Sequence, residues 1–222
     1  MNYIKDNIPK GDRRPGIPMT AQFLTIHSTG NPSSTAKNER AWLTNPTNTR
    51  TASWHLVVDE REVIEAIPLT EVAWHAGDGN GTGNRGSIGI EICESGNREK
   101  TVLNAVELVA GLLKERKWGT DRLKRHYDWS KKSCPRIFME NNWMGWKFFL
   151  AEVERAMTPI PAINIIFNGR RADHLTSRIV GGNRVEILVA GKWIWIRDIV
   201  NLIPGATLAW SVQTQTAEVK IP

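Results

Sequence analysis

SIGIEICES, residues 87–95, places Ile88, Ile90 and Ile92 on one side and Ser87, Gly89, Glu91 and Cys93 on the other when read with the two-residue period of a strand. One face belongs to a core, and the other meets something polar. QFLTIHST, Gln22 to Thr29, alternates in the same way until Gly30, Asn31 and Pro32 break it, so His27 falls at a strand's end. Between these segments, Ser33 and Ser34 are suited to cap a short helix running to about Leu43. SWHLVVDE and EVIEAIP read as a hairpin around Asp59 to Arg61. AWHAG then leads into a glycine-rich loop, Gly77 to Gly86.

Two amphipathic helices are expected downstream. Val102, Val106, Val109, Leu112 and Leu113 recur at helical spacing between about Lys100 and Trp118, and Gly119 ends the run. A second helix from about Asn142 to Met157 aligns Trp146, Phe149, Leu150 and Val153 before TPIPA, residues 158–162, stops it. Beyond that linker the texture changes to short alternating runs such as VEILVAGKWIWIRDIV and LAWSVQ, with a helical turn or two near Arg197 to Leu202. The organisation expected is therefore residues 1–157, a linker at 158–162, and a small β-rich domain at 163–222.

The 222 residues include no apolar run long enough for a secretory signal or the ~20 residues of a membrane span. The expectation is a protein made and kept soluble. Two cysteines without a signal suggest a reducing compartment, where thiols serve as metal ligands, nucleophiles or core fillers. The net charge of +6 is diffuse, which suits an anionic polymer such as a bacterial wall better than a shaped nucleic-acid footprint, and equally suits ordinary solubility. GTGNRG, residues 81–86, formally matches a dinucleotide fingerprint but precedes a strand rather than opening a helix after one, so that site is rejected.

His27, His126 and Cys134 are borderline-to-soft ligands, the last two eight residues apart in HYDWSKKSCPR. Zinc accepts such a set, and three protein ligands leave the open position of a hydrolytic site rather than the closed shell of a structural one. Singly each residue has a bland alternative: a packed histidine or a buried thiol. Together HST at 27–29, AWHAG at 73–77, NRGSIGIE at 84–91 and HYDWSKKSCP at 126–135 resemble the successive motifs of the zinc N-acetylmuramoyl-L-alanine amidases, over about residues 1–157. That family includes phage endolysins, bacterial autolysins and the related peptidoglycan recognition proteins.

The resemblance implies an α/β fold, a mixed central sheet flanked by helices with a zinc cleft at strand ends. It implies one zinc per chain on His27, His126 and Cys134, and peptidoglycan as partner, cut between N-acetylmuramic acid and the L-alanine of the stem peptide. Cys134 stands where some members carry aspartate. Glu91 matches the family's acid–base glutamate and Lys132 its lysine two residues before the last ligand, suited to support a developing oxyanion. Trp54 stands where some phage members use tyrosine, which places the acid–base load on Glu91.

His55, His75, Trp54, Trp74 and Arg85 are the tentative substrate contacts, with Trp42 and Trp129 as further aromatic candidates. Cys93 is expected as a small buried filler. The tail from Ile163 resembles the stalk module first named from copper amine oxidases and suggests wall anchoring, without copper. The biological role expected is a phage or prophage endolysin reaching the wall after release, with an autolysin as the alternative. A recognition protein that holds peptidoglycan without cutting it is the rival from another class. A redox pair of Cys93 and Cys134 is disfavoured by the lack of C-x-x-C spacing.

Overall fold

A computed structural model describes residues 2–158, 164–171, 177–180, 184–189, 192–211 and 216–222. Two compact units divide at Met157 and Thr158. The first contains β1 (Asn2–Lys5), β2 (Phe23–Ser28), α1 (Ala36–Trp42), β3 (Leu56–Val58), β4 (Glu62–Glu65), α2 (Thr82–Arg85), β5 (Ser87–Ile92), α3 (Arg98–Arg116), β6 (Leu123–Arg125), α4 (His126–Ser130) and α5 (Glu140–Met157). Its strands form one six-stranded sheet in the order β1-β4-β3-β5-β2-β6. β3 and β4 pair antiparallel as a hairpin, while β1 with β4, β3 with β5, β5 with β2 and β2 with β6 are parallel, so the sheet is mixed.

The period-two pattern decides what each face does. Leu24, Ile26, Ile88, Ile90 and Ile92 are fully buried and share a core with Val106, Val109 and Leu113 of α3 and with Trp146, Phe149 and Val153 of α5. The opposite face carries Thr25, His27, Ser87 and Glu91. Register fixes the pair that matters, because His27 lies directly beside Glu91 on the neighbouring parallel strand. A one-residue slip would send both into the apolar core, so burial of the isoleucine face holds the polar face in place.

Helix ends differ from the sequence expectation in instructive ways. α1 is capped by Thr35, whose side chain accepts from Asn38 N, rather than by Ser33 or Ser34. α3 begins after Asn97, whose side chain accepts from Lys100 N, and ends at Lys117 in the left-handed region, two residues before Gly119. The glycine-rich loop contains the short helix α2. Within α5, Asn141, Asn142 and Trp143 all adopt positive φ, which breaks the helix after its first residue. Just beyond the turn, Gly145 packs against the Phe138 backbone, where a Cβ would lie 2.9 Å from Phe138 Cα.

The second unit contains β7 (Asn164–Phe167), β8 (Arg170–Arg171), β9 (Ser177–Val180), β10 (Arg184–Val189), β11 (Lys192–Trp195), α6 (Ile196–Asn201), β12 (Thr207–Ser211) and β13 (Thr216–Lys220). Two small sheets, β11-β10-β9 and β12-β13-β7-β8, share a core of Ile165, Val185, Ile187, Ile196, Val200, Ala217 and Val219. The linker expected at 158–162 lies, beyond Thr158, outside the described residues.

Candidate metal centre

β2 delivers His27 from the polar face of the sheet, 1% exposed. His126 opens α4 directly after β6, the strand paired to the other edge of β2. The chain then returns through Lys131, in the left-handed region, to Cys134, and Tyr127 N donates to the Cys134 carbonyl at 3.1 Å to close the loop. His126 Nδ1 lies 3.0 Å from His27 Nδ1, and Cys134 Sγ lies 3.8 Å from the same nitrogen. The three ligand atoms lie within 4.8 Å of one another, and all three residues are buried.

The donor set fits zinc: two imidazole nitrogens and one sulfur, with room for an exogenous fourth ligand. Burial pushes the Cys134 thiol up to about 12, with the Glu91 charge adding to it. A cation on the sulfur is what would make the thiolate the stable form. Burial also lowers the histidines, helped at His27 by the neighbouring rings and at both by Lys132. His27 falls well below its ordinary value, and His126 to about 4. Both rings are therefore neutral and free to donate a lone pair across the physiological range.

Glu91 Oε1 sits 4.0 Å from His27 Nδ1, and Glu91 Oε2 has no hydrogen-bond partner among the described residues. Burial, reinforced by the nearby Glu39 carboxylate and opposed by Lys132, pushes the Glu91 carboxyl up to about 8. A carboxyl so poised can take and return a proton near neutral pH. Lys132 is exposed and lines the same cleft.

The cleft has a volume of about 230 Å³. Trp42, Trp54, Trp74 and His75 line it along with His27, Glu91, His126, Lys132 and Cys134. Trp129 instead donates from its indole to Thr25 Oγ1 at 2.9 Å, a structural contact. Cys93 is fully buried in the smaller core beside Trp54 and Val57, and the thiol is free. Two expected substrate contacts do not reach the cleft. His55 is fully buried, its Nδ1 accepting from Gly89 N at 2.9 Å and its Nε2 facing the Glu71 carbonyl at 2.8 Å, so it has no nitrogen left for a substrate. Arg85 is exposed on α2, 3.3 Å from Asn80 Oδ1, and is not among the residues lining the cleft.

Several cleft residues were not singled out from the sequence. Glu39 of α1, Arg50 and Arg136 line it, and Glu39 is 9% exposed with its carboxyl raised by burial. Arg136 clamps Glu94 at 2.6 Å, while its backbone N donates to Ser28 Oγ, which ties the Cys134 loop to the end of β2. An acid four residues into a helix, or a lone arginine after a proline, has no local pattern that marks it as functional. Only the packing of α1 against β3 and β4, and of the turn at Arg136–Phe138 against β2, brings them together.

Residues 17–137 match the sequence profile of the N-acetylmuramoyl-L-alanine amidase family, Amidase_2. The chain belongs to this family. It is 50% identical over 136 residues to the N-acetylmuramoyl-L-alanine amidase CwlA of Bacillus subtilis, covering 59% of this chain and 49% of that protein. Among solved structures, the catalytic domain of XlyA superposes with a TM-score of 0.64 at 41% identity, covering 69% of this chain and 99% of the domain. A mutant endolysin from Bacillus subtilis gives 0.63 at 40% identity, covering 68% and 98%. The chain spans about half the length of the curated relatives it matches. The family assignment thus concerns the first unit, whose mixed sheet and His-His-Cys group agree with it.

Proposed function

We propose that this amidase-family chain hydrolyses peptidoglycan at the amide between N-acetylmuramic acid and L-alanine, with one zinc on His27, His126 and Cys134. The observation that carries the reading is the convergence of three buried ligand atoms beside a carboxyl displaced to about 8. A bound zinc supplies Lewis acidity, polarising the scissile carbonyl and acidifying the attacking water. Glu91 accepts the water's proton and returns it to the alanine amine as the C–N bond breaks. Lys132 offers fixed positive charge to the carbonyl oxygen as it gains electrons.

Thr29 Oγ1 and Trp54 Nε1, buried at the same cleft without hydrogen-bond partners among the described residues, are suited to hold the substrate's amides and hydroxyls. Trp42, 40% exposed, and Trp74 supply apolar faces for sugar rings and peptide backbone. His75 acts behind the metal rather than on the substrate. The role that best fits is that of a phage or prophage endolysin, supported by the likeness to the Bacillus subtilis endolysin domain. The second unit, resembling the copper amine oxidase stalk module, serves as the wall anchor.

The test pairs metal content with new amino termini released from purified peptidoglycan, for the wild type and Cys134→Ser. About one zinc per chain and fresh N-terminal alanine, both lost in the variant, are expected. Retention on the wall without released alanine would reassign the chain to the non-cutting recognition branch.

A further inference from the structure

We infer that His75 is a positioning residue that fixes which nitrogen of His27 faces the metal, an inference that rests on the metal-centre reading above. The geometry is a chain of three groups. His75 Nε2 lies 3.2 Å from the Ser87 carbonyl oxygen, and His75 Nδ1 lies 3.1 Å from His27 Nε2. A carbonyl oxygen only accepts, so the proton of a neutral His75 sits on Nε2 and its Nδ1 becomes an acceptor. His27 must then donate from Nε2, which leaves the lone pair of its Nδ1 directed at His126 Nδ1 and Cys134 Sγ.

The alternative tautomer of His27 would aim an N–H at the cation position and put two lone pairs face to face at His75. Residues 75–76 form the short segment that carries the His75 ring. That segment is itself held rigidly: Asn84 Oδ1 accepts from both His75 N at 2.8 Å and Ala76 N at 2.7 Å. Gly83 N and Asn84 N in turn donate to the Asp78 carboxylate.

The His75 ring occupies space that β5 leaves open. A Cβ on Gly89 would lie 2.6 Å from His75 Cγ and 2.9 Å from His75 Nδ1, so the strand carries glycine where the ring lies against it. The ring is 6% exposed, which keeps water from competing for the shared proton. Residues that orient a metal-bound imidazole in this way commonly contribute 10- to 100-fold in metal affinity.

Zinc affinity by chelator competition, on the full chain, separates positioning from packing when His75→Leu is compared with His75→Asn. Leucine fills the space without an acceptor, whereas asparagine can place a carbonyl oxygen near the Nδ1 position. His75→Leu should bind zinc roughly 10- to 100-fold more weakly, with His75→Asn restoring most of the loss. Nitrogen-15 NMR of the zinc-loaded wild type, which needs no variant to fold, should show His75 and His27 each protonated at Nε2. A His75 proton on Nδ1, wild-type affinity in His75→Leu, or an asparagine variant no better than leucine would overturn the inference. A wild type that takes up no zinc overturns the metal-centre reading itself, and is seen before any variant is made.

Discussion

Glu91→Gln should make the metal-free protein more stable at alkaline pH while abolishing its chemistry. In the folded chain the Glu91 carboxyl is raised from 4.5 to about 8, first by burial and then by Glu39. A carboxyl raised on folding contributes stability that is fully present below the unfolded value and is lost as pH rises through the folded one. At 1.36 kcal/mol per unit the ceiling of that loss is about 5 kcal/mol. The side chain is 15% exposed, so water screens part of it and ~1–3 kcal/mol is the working figure. Glutamine, of the same size and uncharged, escapes the loss.

Denaturant unfolding in chelator should therefore show the variant about equal to wild type at pH 5 and more stable by ~1–3 kcal/mol at pH 8.5. The histidine contributions are common to both chains and cancel in the comparison. Added zinc should shrink the gap, because a dication beside Glu91 favours its ionised form. Turnover should fall by about 10²- to 10⁴-fold, the usual worth of a proton-transferring group. A gap that is equal at the two pH values, or of opposite sign, would refute the burial account of Glu91.

Gly89→Ala drives a methyl into the His75 ring and should cost ~1–3 kcal/mol and weaken zinc binding, checked by melting and chelator competition. Leu113→Ala, at a fully buried position of α3 remote from the cleft, should cost ~2–5 kcal/mol with zinc stoichiometry unchanged below the melting temperature. Buried neutral His27, His55 and His126 are lowered on folding, so their contribution is present above about 6.5 and lost as pH falls toward 4. Acid unfolding of the metal-free chain should accordingly begin below about pH 6, followed by circular dichroism. A fragment of residues 1–158, which keeps the whole first compact unit, should retain amide hydrolysis but sediment less completely with purified walls.

Alternation in residues 22–29 and 87–95 made the sheet's two faces legible, because a half-buried strand writes its burial into every second residue. His27 at a strand end and the His126–Cys134 spacing followed from local pattern and from family resemblance. The break at the start of α5 was hidden, since the apolar spacing of Trp146, Phe149 and Val153 begins only after it. His55 and Arg85, two of the tentative substrate contacts, stand outside the cleft for different reasons. A histidine beside a motif looks reactive until both its nitrogens are accounted for, and an arginine in a glycine-rich loop looks like a rim until the loop coils into α2. Glu39 stayed silent because its influence on Glu91 exists only once α1 is laid beside the sheet.

The centre's ligands differ in how firmly they are rooted. His27 is woven into the middle of the sheet, with paired strands on both sides, whereas Cys134 hangs from a loop closed by one backbone bond to Tyr127 and buttressed by the exposed Arg136. Thermal agitation loosens such loops well before it parts interior strands. A bound ion would therefore be expected to leave asymmetrically: the sulfur would let go first and the imidazole of His27 last, and recapture would start from a half-assembled site already waiting on the sheet.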